Sequence, residues 1–208
     1  MRIEGQVGPQ VVSDGAVITP RLSRDGSLVV AQSHGKYLES TVRGSLFVAA
    51  NSAATTISTT GTTAGFTLAN PLGSGKNLSV TRVALVIKAL ALTPVVGFYG
   101  LYVNSNPAAA VVTGTALTAQ SALVGSGFAA AGKPLQTATL PATPTLHRLI
   151  TQKFTGAATT LPLDEPYFIE LDGELVLTPG TAVSLQQDAA DSTNATAFCV
   201  MAWEEIPI

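Results

Sequence analysis

Leu78-Ser79-Val80-Thr81-Arg82-Val83-Ala84-Leu85-Val86-Ile87 is the stretch on which the fold turns. Apolar and polar residues partly alternate as far as Val83, the period of a strand with one face in a core. Ala84 to Ile87 then runs on without a polar residue, which reads as the same strand passing from half buried to fully buried. Outward from this stretch the texture repeats. Ser45 to Ala50, Ala54 to Thr60, Gly65 to Ala69, Val95 to Val103, Ala109 to Thr113, Leu146 to Phe154, Tyr167 to Leu177, Ala182 to Gln187 and Thr196 to Ile206 are short runs rich in Val, Thr, Ile, Leu and Phe. Gly, Pro, Asn and Asp turns separate them, as at Asn70-Pro71 and Gly73-Ser74-Gly75. The expected fold is all-β, a jelly-roll-like antiparallel β-sandwich over residues 46–208. Thr115 to Val124 is the best candidate for a helix, and 126–145, rich in Gly, Ala and Pro, reads as a long loop.

Residues 1–45 differ. They hold balanced charges, turn signals at Ser13-Asp14-Gly15 and Arg24-Asp25-Gly26, and apolar runs no longer than Ser27 to Ala31. Such a segment buries no core of its own, so it reads as an extended N-terminal arm lying along a neighbouring subunit or a supporting shell. Its candidate contact residues are Arg21, Arg24, Lys36, Tyr37 and Arg43.

Composition argues for assembly. Charged residues are 12% of the 208, about half the share of roughly 25% usual in soluble proteins, and mean hydropathy is positive at +0.37. So few charges fit a surface largely covered by other copies or by a larger particle. No apolar run approaches the ~20 residues of a membrane span, and no signal-peptide core opens the chain. The charges are segregated. Ser40 through Leu163 holds no Asp or Glu but carries Arg43, Lys76, Arg82, Lys88, Lys133, Arg148 and Lys153; beyond Lys153 there are nine acids and no Lys or Arg. Either late strands pair with earlier ones and mix the signs, or the molecule has a basic and an acidic pole. Singly scattered basic residues without interleaved aromatics do not make a nucleic-acid surface.

Catalytic patterns are missing. Asn70 to Asn77 has the Gly-Ser-Gly-Lys of a phosphate loop, but Asn70 stands where the first Gly belongs, Asn77 where Ser or Thr belongs, and a strand follows in place of a helix. His34 and His147 are the only histidines, no Gly-x-Ser-x-Gly elbow occurs, and the lone Cys199 lies in an apolar run as a small buried hydrophobe. Asp164-Glu165, Asp172-Gly173-Glu174 and Asp188 with Asp191 read as turns, Asp172-Gly173 as a hairpin turn. Asp188, Asp191 and Asn194 are spaced to offer oxygen ligands to Ca²⁺, but the loop lacks the glycine and terminal glutamate of a known calcium loop and reads as solvated. No catalytic residue, cofactor or metal site is expected, and the chain reads as a non-enzyme.

The C-terminal third, from Leu175-Val176-Leu177-Thr178-Pro179-Gly180-Thr181 through Val183-Ser184-Leu185-Gln186 to Ala202-Trp203-Glu204-Glu205-Ile206-Pro207, resembles the closing strands of jelly-roll virion proteins of tailed bacteriophages. Arg24 to Gly26, Gly35 to Glu39, Arg43-Gly44 and Asn70 to Leu78 resemble the N-terminal half of such proteins. The resemblance implies a capsid decoration or cement protein, made in the bacterial cytoplasm and carried on the virion. It further implies a homotrimer whose arm faces the major capsid protein; the composition, for its part, points to neither nucleic acid nor membrane as partner. The rival expectations are a tail-fibre or receptor-binding head using the 125–145 loop, and a carbohydrate-active enzyme, which the absent paired acids oppose.

Overall fold

The structure is a computed structural model and describes residues 35–89, 96–104, 112–152, 166–189 and 195–208. Most of the segment read as an arm, with Arg21, Arg24 and His34, lies outside the described residues. The chain divides into two units between Leu38 and Glu39. In the first unit the backbone N–H of Leu38 donates to the Gly35 carbonyl at 3.0 Å. A short helix, α1 (Leu38–Val42), follows, so the last part of the segment read as extended is helical.

Thirteen strands follow among the described residues: β1 (Leu46–Ala50), β2 (Thr55–Thr56), β3 (Thr63–Ala64), β4 (Thr67–Ala69), β5 (Lys76–Ala89), β6 (Phe98–Asn104), β7 (Thr113–Ala116), β8 (Gln120–Ser121), β9 (Lys133–Thr139), β10 (Thr145–Gln152), β11 (Tyr167–Leu177), β12 (Ala182–Gln187) and β13 (Thr196–Pro207). They form two antiparallel sheets packed as a sandwich. One runs β11-β5-β13-β1-β8 with β2 also on β13; the other runs β10-β6-β12-β4-β9-β3 with β7 also on β9.

The core between the sheets follows from the period of two. Leu78, Val80, Val83, Leu85 and Ile87 of β5 point inward beside Ala197, Cys199, Met201 and Trp203 of β13, against Tyr99 and Leu101 of β6 and Val183 and Leu185 of β12. Trp203, fully buried, stacks on Phe47 of β1 with ring centroids 6.1 Å apart and planes at 26°. Cys199 is a buried free thiol, pushed from its ordinary 9.0 up to about 12 by burial, so it is an inert hydrophobe in this strand. A smaller cluster gathers Ala64, Ala69, Leu135, Ala138, Leu140 and Ala182, from β3, β4, β9, β12 and the residue after β9.

Three local expectations are overturned. Residues 115–124 are not a helix: Thr115 and Ala116 pair with β9, and Gln120 and Ser121 with β1. Tertiary pairing there overrides the weak helical propensity of a short Ala, Leu and Gln run. The 126–145 segment is not all loop, because β9 runs through it despite Pro134, whose missing N–H is tolerated at the start of a strand. Asp172-Gly173 is not a hairpin turn. Both residues have positive φ, 43° and 94°, but β11 continues past them along the same neighbour. The register steps from Glu170 opposite Arg82 to Leu175 opposite Val80, so the turn signal marks a bulge.

A second irregularity lies in β9. Thr137 has φ 52°, uncommon for a β-branched residue, and the β7–β9 register shifts beside it. Gly114 accommodates the kink: a Cβ there would stand 2.9 Å from the Ala138 Cα. Since Thr137 is exposed, Thr137→Gly is expected to relieve backbone strain at no packing loss and to stabilise the fold by up to about 1 kcal/mol; the urea midpoint measures it.

Candidate interaction surface

The described residues include no group of three or more His, Cys, Asp or Glu able to hold a metal ion. Among them no helix is long and apolar enough to cross a membrane. The feature that stands out is the outer face of the six-stranded sheet. Where β5 alternates, the side chains opposite the core ones are Arg82, Ala84, Val86 and Lys88, all partly or fully exposed. The run expected to become fully buried therefore buries only one face, and its other face is apolar and open.

Cross-strand register turns this into a band. Phe168 of β11 stands opposite Ala84, Ala84 opposite Val200 of β13, and Val200 opposite Ala50 of β1, one apolar row across four strands. The next row adds Val86 opposite Phe198. Phe168 is 66% exposed, a ring held in water with nothing over it in this chain's described part. Charged groups flank the band. The Lys88 ammonium lies 5.7 Å from the Phe198 ring centroid, a cation–π contact, and Arg82 stands opposite Glu170. Glu204, on the same face at the far end of β13, accepts from the Ser40 and Ser45 hydroxyls at 2.7 and 3.4 Å.

The acids of the last strands meet the bases of the middle of the chain. Lys76 pairs with Glu205 at 3.0 Å, Arg148 with Glu174, and Glu170 stands beside Arg82. Of the two readings of the charge segregation, the described residues show mixing rather than two poles.

Glu205 is the polar residue that sequence reading missed. Its side chain is fully buried, inward on β13 two residues after Trp203. One carboxylate oxygen accepts from the backbone N–H groups of Ala131 and Gly132 at 2.7 and 2.9 Å and from the Trp203 indole at 3.3 Å; the other accepts from Lys76. Gly132 must be glycine, since a Cβ would stand 2.9 Å from both Trp203 Nε1 and Leu78 Cδ1. This cluster is a clamp rather than a reaction centre: every donor is aimed at the carboxylate, and the lysine of the phosphate-loop look-alike is committed to it. That look-alike is a turn between β4 and β5, tied down by the Asn70 amide donating to the carbonyls of Lys76 and Leu177, both at 2.8 Å.

The chain matches no protein-family model, no curated protein and no solved structure.

Of the candidate arm residues, Lys36 and Tyr37 lie in the turn before α1, with the Lys36 ammonium 5.3 Å from the Tyr37 ring centroid. Arg43 lies just after the helix, largely exposed and paired with Glu39 at 2.6 Å. His147 is exposed on β10, and the Asp188 carboxylate accepts from the Phe98 N–H at 2.9 Å. Asp191 and Asn194 lie outside the described residues, as do Asp164 and Glu165.

Proposed function

We propose that the chain is a structural virion protein of a tailed bacteriophage, a decoration or cement protein that works by binding free energy through a jelly-roll body and a preceding arm. The observation that carries the assembly role is the open apolar band on the six-stranded sheet, in a chain with only 12% charged residues. A chain that left such a face in water would risk uncontrolled association, so a standing partner is the economical reading. The strand order supports the jelly roll. With β1, β4, β5, β6, β10, β11, β12 and β13 lettered B to I, the sheets run B-I-D-G and C-H-E-F, the order of that fold. Strands β7, β8 and β9 then form an insertion between the fourth and fifth strands that extends both sheets at the B and C side. The phage assignment rests on the sequence resemblance, in the closing strands and the Pro179-Gly180 turn before β12. Repeated weak contacts around a closed assembly sum to a strong attachment.

The test is co-sedimentation of the full chain with capsids of the phage that encodes it, beside mass spectrometry of purified virions. The chain is expected in the particle and on the capsid; its absence from virions would end this reading. Removing residues 1–34 retains Ser40 and Ser45 at Glu204, and this variant is expected to keep its circular dichroism while losing capsid binding. Undiminished co-sedimentation would remove the arm from the mechanism.

A further inference from the structure

We propose that the apolar band is covered by the same band of a second copy of this chain, related by a two-fold axis lying in the interface along the row Phe168, Ala84, Val200, Ala50. This rests on the assembly role proposed above and names the partner on that face. A two-fold contact makes pairs, in place of the trimer that the sequence resemblance implies.

Size and charge are distributed in a complementary way on either side of that row. On one side lie Val86 and Phe198, with Lys88 beyond them; on the other lie Arg82 and Ala202, with Ser79 and Glu204 beyond. An axis along the row lays one sheet over the other with strands aligned and antiparallel, the geometry in which sheets stack face to face about 10 Å apart. It inverts the levels about Ala84. Phe198 of each copy then comes to the level of Ala202 of the other, a small residue only 7% exposed among its larger neighbours, and the Phe168 side chains meet at one end of the row. Lys88 of each copy comes to the level of Glu204 of the other, at comparable distances from the axis, so two opposite charges meet twice in each pair. Arg82 and Glu170 face each other within one copy and leave the band close to neutral. A strongly acidic or basic partner would find no complementary field there, whereas a second copy finds both shape and charge matched.

The experiment is sedimentation equilibrium of the full chain and its variants, with circular dichroism to establish that each is folded. The wild type is expected to be a dimer. Phe168→Glu, on an exposed side chain, is expected to weaken the dimer at least about tenfold by placing a carboxylate in the apolar row. Lys88→Glu and Glu204→Lys are each expected to weaken it by about tenfold or more, because each creates two like-charge contacts. Mixed in equal amounts, these two variants are expected to form a heterodimer of wild-type affinity, since both contacts then carry opposite charges. A monomeric wild type, or a dimer indifferent to Phe168→Glu, would overturn the proposal. Lack of recovery in the mixture would overturn the two-fold placement. If Glu204→Lys fails to fold, Lys88→Glu and Phe168→Glu carry the test together. A chain that is monomeric in solution yet binds capsids would refute the pairing and leave the assembly role standing.

Discussion

Glu205→Ala is expected to destabilise the fold by about 3–5 kcal/mol, the range for breaking a buried, hydrogen-bonded ion pair from one side. The carboxylate is out of water and satisfied four times, by two backbone N–H groups, an indole N–H and an ammonium. Its removal leaves the Gly132 N–H and the Trp203 indole buried beside an apolar cavity, each costing about 1–3 kcal/mol if water does not reach it. Lys76 is partly exposed and recovers some hydration, which holds the loss below a sum of the separate terms. Glu205→Gln retains one acceptor oxygen but turns an amide N–H₂ toward the ammonium or the backbone donors, so roughly half the loss is expected. Urea denaturation measured on both variants checks the order. An alanine variant within about 0.5 kcal/mol of wild type would show that the clamp contributes little to folding.

Asn51→Ala is expected to cost about 2–4 kcal/mol for a related reason. Strands β1 and β2 lie along the same edge of β13, and the chain leaves that edge between them. Asn51 fills the gap with its side chain: the Cys199 N–H donates to its Oδ1 at 2.6 Å, and its Nδ2 donates to the Ala197 carbonyl at 2.9 Å. The amide thus takes the place of a peptide group in the ladder, and Nδ2 also donates to the Ala53 carbonyl and the Thr55 hydroxyl. Alanine leaves a buried donor and a buried acceptor on the central strand of the sheet, each worth about 1–3 kcal/mol. Amide hydrogen exchange localises the effect. The Cys199 N–H is expected to lose protection far more than its neighbours on the β5 side, and equal loss along the whole strand would mean that the plug role is wrong.

The main strands were legible because their signal is local. Leu78 to Ile87, Ala182 to Gln187 and Thr196 to Ile206 carry their own periodicity, and each is a strand in the structure. What misled was information held by a distant partner. Thr115 and Ala116 are strand because β9 lies beside them, and Asp172-Gly173 is a bulge because β5 runs past it unbroken. Glu205 could have been found. Along β13 the inward residues are Ala197, Cys199, Met201 and Trp203, and the same period puts Glu205 inside, where a carboxylate demands partners. Which partners they are, Ala131, Gly132 and Lys76, is set by long-range topology that one sequence does not display. The apolar band had a signal as well: the unbroken Ala84 to Ile87 run signals burial on both faces, and the exposed half of it is what the proposed partner covers.

Strand β13 lies between β5 and β1, the two strands it joins, although it is the last of the thirteen in chain order. While the ribosome is still extending the chain, those two have no neighbour in common, and the six-stranded sheet lacks its middle. Its closure waits until residues 196–207 clear the exit tunnel, so most of the body is synthesised before that sheet can be completed. An aborted or truncated product lacking this segment would carry two unpaired edges, a natural target for chaperones and proteases in the cell that makes it.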